Sequence, residues 1–174
     1  MTAAEPPVAI LGFQQGIPGT GPRLAELNTE LGRKLSAPGL LRYQVLVHSA
    51  RPERICVYWL WRRGADRDGL WAAPTSELTD FWDLSRPLWA AAPEVGRYHW
   101  RPSADRDLCP PDAAVRLTPF ASHEEPGEAE TEADGAPWLY GLDSAASLSC
   151  VRARREARDE HWIPVWQSTI IRRS

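Results

Sequence analysis

The sequence predicts an α+β fold, an antiparallel sheet with helices packed on one face. Three features carry that expectation. Ile55 to Trp61, ICVYWLW, holds no charge and no helix breaker, and reads as a strand buried on both faces. Leu40 to His48, LLRYQVLVH, alternates along a pleat, with Leu41, Tyr43, Val45 and Val47 on one face and Arg42, Gln44, Leu46 and His48 on the other. Leu24, Leu27, Leu31 and Leu35 recur at spacings of three and four, which places one apolar stripe along a helix.

Taken in order, Val8 to Gln14 is an apolar run suited to a first buried strand, and the glycines and prolines of Gly16 to Pro22 break it. The leucine-striped helix follows over Arg23 to Leu35 and stops at Ser36-Ala37-Pro38-Gly39. The alternating strand Leu40 to His48 reads as half-amphipathic. A short link containing Pro52 then joins it to Ile55 to Trp61 as an antiparallel hairpin. Asp66 to Trp71 suits a helical turn ending at Pro74, and Thr75-Ser76 can cap a second helix. Leu78, Phe81, Trp82, Ser85, Leu88, Trp89 and Ala92 give that helix one aromatic face, kinked or divided at Pro87. Pro93 ends it, and Val95 to Arg101 alternates as a fourth strand. The order βαββαβ is the split-βαβ, or ferredoxin-like, arrangement, which defines a first domain over residues 1–101.

Residues 102–174 form a C-terminal extension, expected to pack on the same domain or on a partner subunit. Val115 to Phe120 suits a short strand, residues 123–136 an acidic loop, Ser144 to Arg158 a helix with a charged end, and Trp162 to Ile171 a final strand.

Composition limits the function. With 174 residues the chain can bury a core as a single domain without metals or disulfides. Its 20 basic and 23 acidic residues, net charge −3, argue against a general nucleic-acid or anionic-membrane surface. Cys56, Cys109 and Cys150 are far apart, odd in number and outside any zinc spacing, so they read as reduced thiols of a cytoplasmic protein. Met1 to Pro7 shows no secretory pattern, and no apolar window approaches a membrane span. No nucleotide, metalloprotease or hydrolase motif occurs. Of nine tryptophans, six lie between residues 59 and 100, and that clustering suggests an aromatic-lined cavity. Trp59 and Trp61 share one side of the pleat, as pocket wall or as core.

Pro38-Gly39-Leu40-Leu41-Arg42-Tyr43, the strand Ile55 to Trp61 ending in tryptophan, Leu78-Thr79-Asp80-Phe81, Leu88 and Pro93-Glu94-Val95 together resemble the antibiotic biosynthesis monooxygenase superfamily over roughly residues 8–101. The resemblance implies a dimeric α+β barrel made by a homodimer, with a pocket between sheet and helices. Members include oxygenases of aromatic polyketide phenols, anthrones and quinols that often need neither metal nor flavin. Others bind haem or reduced flavin, or catalyse cyclisation or proton transfer. Trp61 matches the family's strand-end pocket tryptophan. Val57 stands where quinol-oxidising members have asparagine, and Arg67 where a tyrosine is expected.

These features make an oxygenase of an aromatic phenol, anthrone or quinol the expected function, with molecular oxygen as co-substrate and no resident cofactor. A cyclase and a non-catalytic binding protein are the alternatives. Deprotonation needs a base and an anion stabiliser. His48 and His99 are the candidate bases, Trp61 the candidate oxygen- or anion-handling residue, and Arg86 and Arg97 the candidate anion holders. Tyr43, Tyr58 and Tyr98 can donate hydrogen bonds to a bound oxygen, and Trp59, Trp82 and Trp89 can stack on a ring. Each also has an ordinary structural reading, as core or surface. Haem-binding relatives commonly carry a histidine on the second helix, and Thr75 to Ala92 holds none.

Overall fold

The computed structural model describes residues 5–101, 108–109, 113–121, 138–141, 146–154 and 162–167. The expected βαββαβ order is present: β1 (Val8–Gln15), α1 (Gly21–Lys34), β2 (Leu40–His48), β3 (Arg54–Trp61), α2 (Gly64–Ala72), α3 (Ser76–Ser85) and β4 (Glu94–Arg101). The four strands run antiparallel in the order β4-β1-β3-β2. Pro87 acts as expected: it lies at the start of a 3-10 turn, Arg86–Leu88, so the long aromatic helix divides just after Ser85. Thr75 occupies the N-cap of α3, but its side chain makes no capping bond; α3 instead starts with the Thr79 N–H and Oγ1 donating to the Thr75 carbonyl, both at 3.1 Å.

The second half departs further from expectation. It forms β5 (Ala113–Ala121), β6 (Trp138–Gly141), β7 (Ala146–Arg154) and β8 (Trp162–Gln167), and these close one eight-stranded barrel in the order β1-β3-β2-β8-β5-β7-β6-β4. Within Ser144 to Arg158, read as a helix, residues 146–154 are therefore a strand. All nine of them pair with β5, and Ser149 and Leu148 also face Trp138 and Leu139 of β6. Cross-strand pairing overrides the helix propensity of its Ala and Arg residues. The acidic loop at 123–136 and the end of the expected last strand, 168–171, lie outside the described residues.

Both edges of the ferredoxin-like sheet are thus filled within the chain: β2 pairs with β8, and β4 with β6. A single chain closes the barrel that the family resemblance assigned to two copies. A closed barrel has no open edge, and with eight strands its interior is just wide enough for side chains to fill.

Closure buries the sheet on both sides and corrects the reading of β2. Its polar face does not meet solvent: Arg42, Gln44 and His48 are 6%, 0% and 3% exposed. The face carrying Leu11, Leu46, Cys56, Tyr58, Leu60 and Tyr98 encloses Leu108, Cys109, Val115 and Trp162 inside the barrel. The opposite face carries Val8, Ile10, Tyr43, Val45, Val57, Trp59 and Trp61, and packs on Leu24, Leu27 and Leu31 of α1 and on Leu70, Leu78 and Phe81 of α2 and α3. Gly39, between α1 and β2, has φ of +81°, and a Cβ there would run into Asp66 Oδ2, so any side chain is doubly penalised.

Candidate functional site in the helix-covered cavity

Between the sheet and its helices lies a cavity of about 90 Å³. The side-chain alternation of β1 places Ile10, Gly12 and Gln14 on this face, and the register sets Gly12 between Val57 of β3 and Val95 of β4. Glycine and two valines make a low floor. A Cβ added to Gly12 would meet nothing nearer than the Val57 carbonyl oxygen at 3.9 Å, so the empty space begins at this residue. Trp59 of β3, Trp71 of α2, Leu78, Phe81 and Trp82 of α3, and Trp89 form the walls. Trp59 and Trp71 meet edge to face at 5.7 Å, as do Trp71 and Trp82 at 6.2 Å. Trp89 is held over the cavity because its segment is tied to the end of β1: Ala90 N–H donates to Gln15 O at 2.8 Å, and Ile17 N–H to Leu88 O at 2.9 Å.

The polar end is an amide pair. Gln14 Nε2 donates to Asn28 Oδ1 at 3.0 Å, and Asn28 Nδ2 donates to Gln14 Oε1 at 3.0 Å and to Leu24 O at 2.7 Å. Trp89 Nε1 donates to Gln14 Oε1 at 3.3 Å. Sequence reasoning missed both amides. Gln14 closes the first strand's apolar run and Asn28 sits between leucines of the α1 stripe, so only the pairing across 14 residues reveals them.

The structure divides the residues proposed from sequence. Trp59, Trp82 and Trp89 line the cavity. Trp61 is stacked on Trp59 at 6.1 Å, fully buried one row further along, and is not among the lining residues; its Nε1 meets no acceptor among the described residues. Val57, the position of the relatives' asparagine, does face the cavity. Tyr43 lies under α1, where its hydroxyl donates to Asn28 O at 3.1 Å and so steadies the helix at the amide pair.

His48, Tyr58 and Tyr98 belong to the other face. Tyr58 and Tyr98 are part of the barrel interior, and His48 lies against Trp162 at 5.1 Å, with its Nδ1 accepting from Ala50 N–H at 3.3 Å. A full sheet thickness separates them from the cavity, because neighbouring residues of a strand point to opposite sides. His99 pairs with Val8 at the far end of β4 and is exposed. Arg86 is exposed on the 3-10 turn. Arg97 is half-buried beside Asp68, 3.9 Å from its carboxylate, and is not in the lining. Arg67, the position expected to be tyrosine, lies over Trp71 with its guanidinium 4.4 Å from the ring centroid, a cation–π contact at the cavity's outer wall.

Burial pushes the Tyr43 phenol well above its ordinary range. The sign of the stability effect follows. An unfolded tyrosine ionises near pH 10 while folded Tyr43 stays protonated, so its contribution is complete below about pH 10 and shrinks as pH rises further. Tyr43→Phe should remove up to about 1.4 kcal/mol per pH unit of alkaline destabilisation. Urea unfolding of both proteins at pH 8 and pH 11 measures this, and parallel losses in the two would refute it.

Fold and cavity together define an α+β barrel with an aromatic-lined cavity under its helices. No protein-family model and no curated protein matches the chain. Solved structures do. A protein of Lactobacillus acidophilus NCFM provisionally named a monooxygenase is 13% identical, with 86% of this chain and 77% of that one covered, at a TM-score of 0.56. A provisionally named antibiotic biosynthesis monooxygenase of Chloroflexus aurantiacus J-10-fl is 22% identical over 58% of this chain and 97% of its own, at 0.48. A conserved protein of Methanosarcina mazei Go1 is 15% identical over 55% and 94%, at 0.49. The chain thus shares its fold with the Lactobacillus protein, and that likeness, covering 86% of this chain, extends into the second half. Among the described residues no group of His, Cys, Asp and Glu is arranged to hold a metal, and no helix is long and apolar enough to cross a membrane.

Proposed function

We propose that this chain is an oxygenase that takes a small aromatic substrate of the phenol, anthrone or quinol class, as found in polyketide-derived metabolism, into the helix-covered cavity. The observation that carries this reading is the aromatic cavity itself, set on a fold shared with a provisionally named monooxygenase. An apolar cavity of about 150 Å³ holds benzene. At about 90 Å³ and partly open to solvent, this one takes part of a single ring without rearrangement, and a fused-ring substrate enters as the half-buried Trp71, Trp82 or Trp89 swings outward.

Among the described residues that line the cavity there is no carboxylate, histidine, lysine or arginine. Within the oxygenase reading this favours oxygen activated by free reduced flavin over oxygen activated by a substrate that the protein deprotonates. The balance is then one oxygen atom inserted into a ring C–H, the other released as water, and two electrons supplied by the flavin. The same lining favours a second reading, a binding protein without catalysis. A cyclase on this barrel would need a base, and none is among the described lining residues. A second copy, the partner that the family resemblance implies, would dock through a surface other than the filled edges of β2 and β4.

Oxygen uptake with phenol, hydroquinone and anthrone, with and without reduced flavin, tests the reading. We expect substrate-dependent uptake above flavin autoxidation, with one labelled atom from ¹⁸O₂ in the product and no turnover under strict anaerobiosis. Binding without any substrate-dependent uptake selects the non-catalytic reading.

A further inference from the structure

The Gln14–Asn28 pair has hydrogen-bonding capacity left over, and its orientation is fixed. An indole N–H can only donate, so the Gln14 atom facing Trp89 is the oxygen. A backbone carbonyl can only accept, so the Asn28 atom facing Leu24 is the nitrogen. Both Asn28 Nδ2 hydrogens are then used, on Gln14 and on Leu24. Gln14 Nε2 spends one of its two hydrogens, on Asn28 Oδ1, and that oxygen accepts only this bond among the described residues. One free donor and one free acceptor therefore stand 3.0 Å apart on two residues that are 7% and 1% exposed, both in the cavity lining.

We propose that this amide pair is a recognition site for a neutral hydroxyl group on an aromatic ring. A hydroxyl can meet either function, its oxygen accepting the second Gln14 Nε2 hydrogen or its hydrogen going to Asn28 Oδ1, with the ring among Trp59, Trp82 and Trp89. A carboxylate or phenolate offers no hydrogen to Asn28 Oδ1 and finds no cation in the lining. The inference rests on the cavity being the ligand site and adds what the site selects.

Titration calorimetry of the full chain with phenol, toluene and benzoate, supported by quenching of tryptophan emission, tests it. Phenol should bind about ten-fold or more tighter than toluene, the worth of a hydrogen bond in a largely desolvated site, and benzoate weakest. Gln14→Leu removes the donor at similar size and brings no new acceptor, so it should lose the phenol preference while still binding toluene. Gln14→Met, which like Gln14→Leu removes the bond to Trp89, should do the same, and near-ultraviolet circular dichroism confirms that both variants are folded. Equal affinity of the wild type for phenol and toluene would overturn the amide pair as the selector and leave the cavity reading standing. Absence of binding by any of the three would overturn the cavity reading itself.

Discussion

Gly12→Val should fold normally and fail to bind or turn over any aromatic ligand. The expectation follows from the floor of the cavity: Gly12 is the one β1 residue there without a side chain, and space opens directly above its Cα. Valine brings three carbons into a cavity of about 90 Å³ and meets β-strand backbone that suits a branched residue. Filling an apolar void without strain gains about 1 kcal/mol, so the melting temperature should hold or rise by a few degrees. Binding of phenol should fall by about 100-fold or more, because the ring and the valine compete for the same volume. Calorimetry and a thermal melt on the same preparation separate the two effects. Undiminished binding in a folded Gly12→Val protein would place the ligand site elsewhere.

Gln44→Leu should be the most destabilising of these substitutions. Gln44 is fully buried on the inward face of β2 and binds a separate piece of chain: its Nε2 donates to Cys109 O at 2.7 Å, and its Oε1 accepts from Leu108 N–H at 2.7 Å and Cys109 N–H at 3.3 Å. This one side chain thus satisfies backbone groups of a segment enclosed in the barrel. Leucine of similar size fills the space and leaves those groups without this partner, each at about 1–3 kcal/mol. We expect a loss of about 3–5 kcal/mol and a drop in melting temperature of roughly 10 °C, measured by urea and thermal unfolding. A change under about 1 kcal/mol would mean that the segment is not held by Gln44.

Much of the first half was legible because its signals are local. The leucine stripe gives α1, the glycine and proline breaks give its ends, and Pro87 divides the aromatic helix at the turn where a missing N–H and a ring clash require it. The tryptophan clustering also pointed correctly to a cavity, since Trp59, Trp71 and Trp82 come together there with Trp89. The roles of individual residues were less legible. Tyr58 and Trp59 are neighbours in sequence, yet one faces the barrel interior and the other the cavity. In a strand buried on both sides both faces are apolar, and composition does not say which one the helices cover.

The sequence by itself determined the β-strands, helices and breaks of residues 8–101, and hence the ferredoxin-like half with its aromatic face, because period, capping and proline chemistry act within a few residues. Only the tertiary structure decided that residues 146–154 become a strand, that β8 and β6 fill the edges of β2 and β4, and that Gln14 meets Asn28 at the cavity's polar end. Each of these depends on a partner far along the chain, and pairing or burial against that partner outweighs the few tenths of a kcal/mol that local preference supplies.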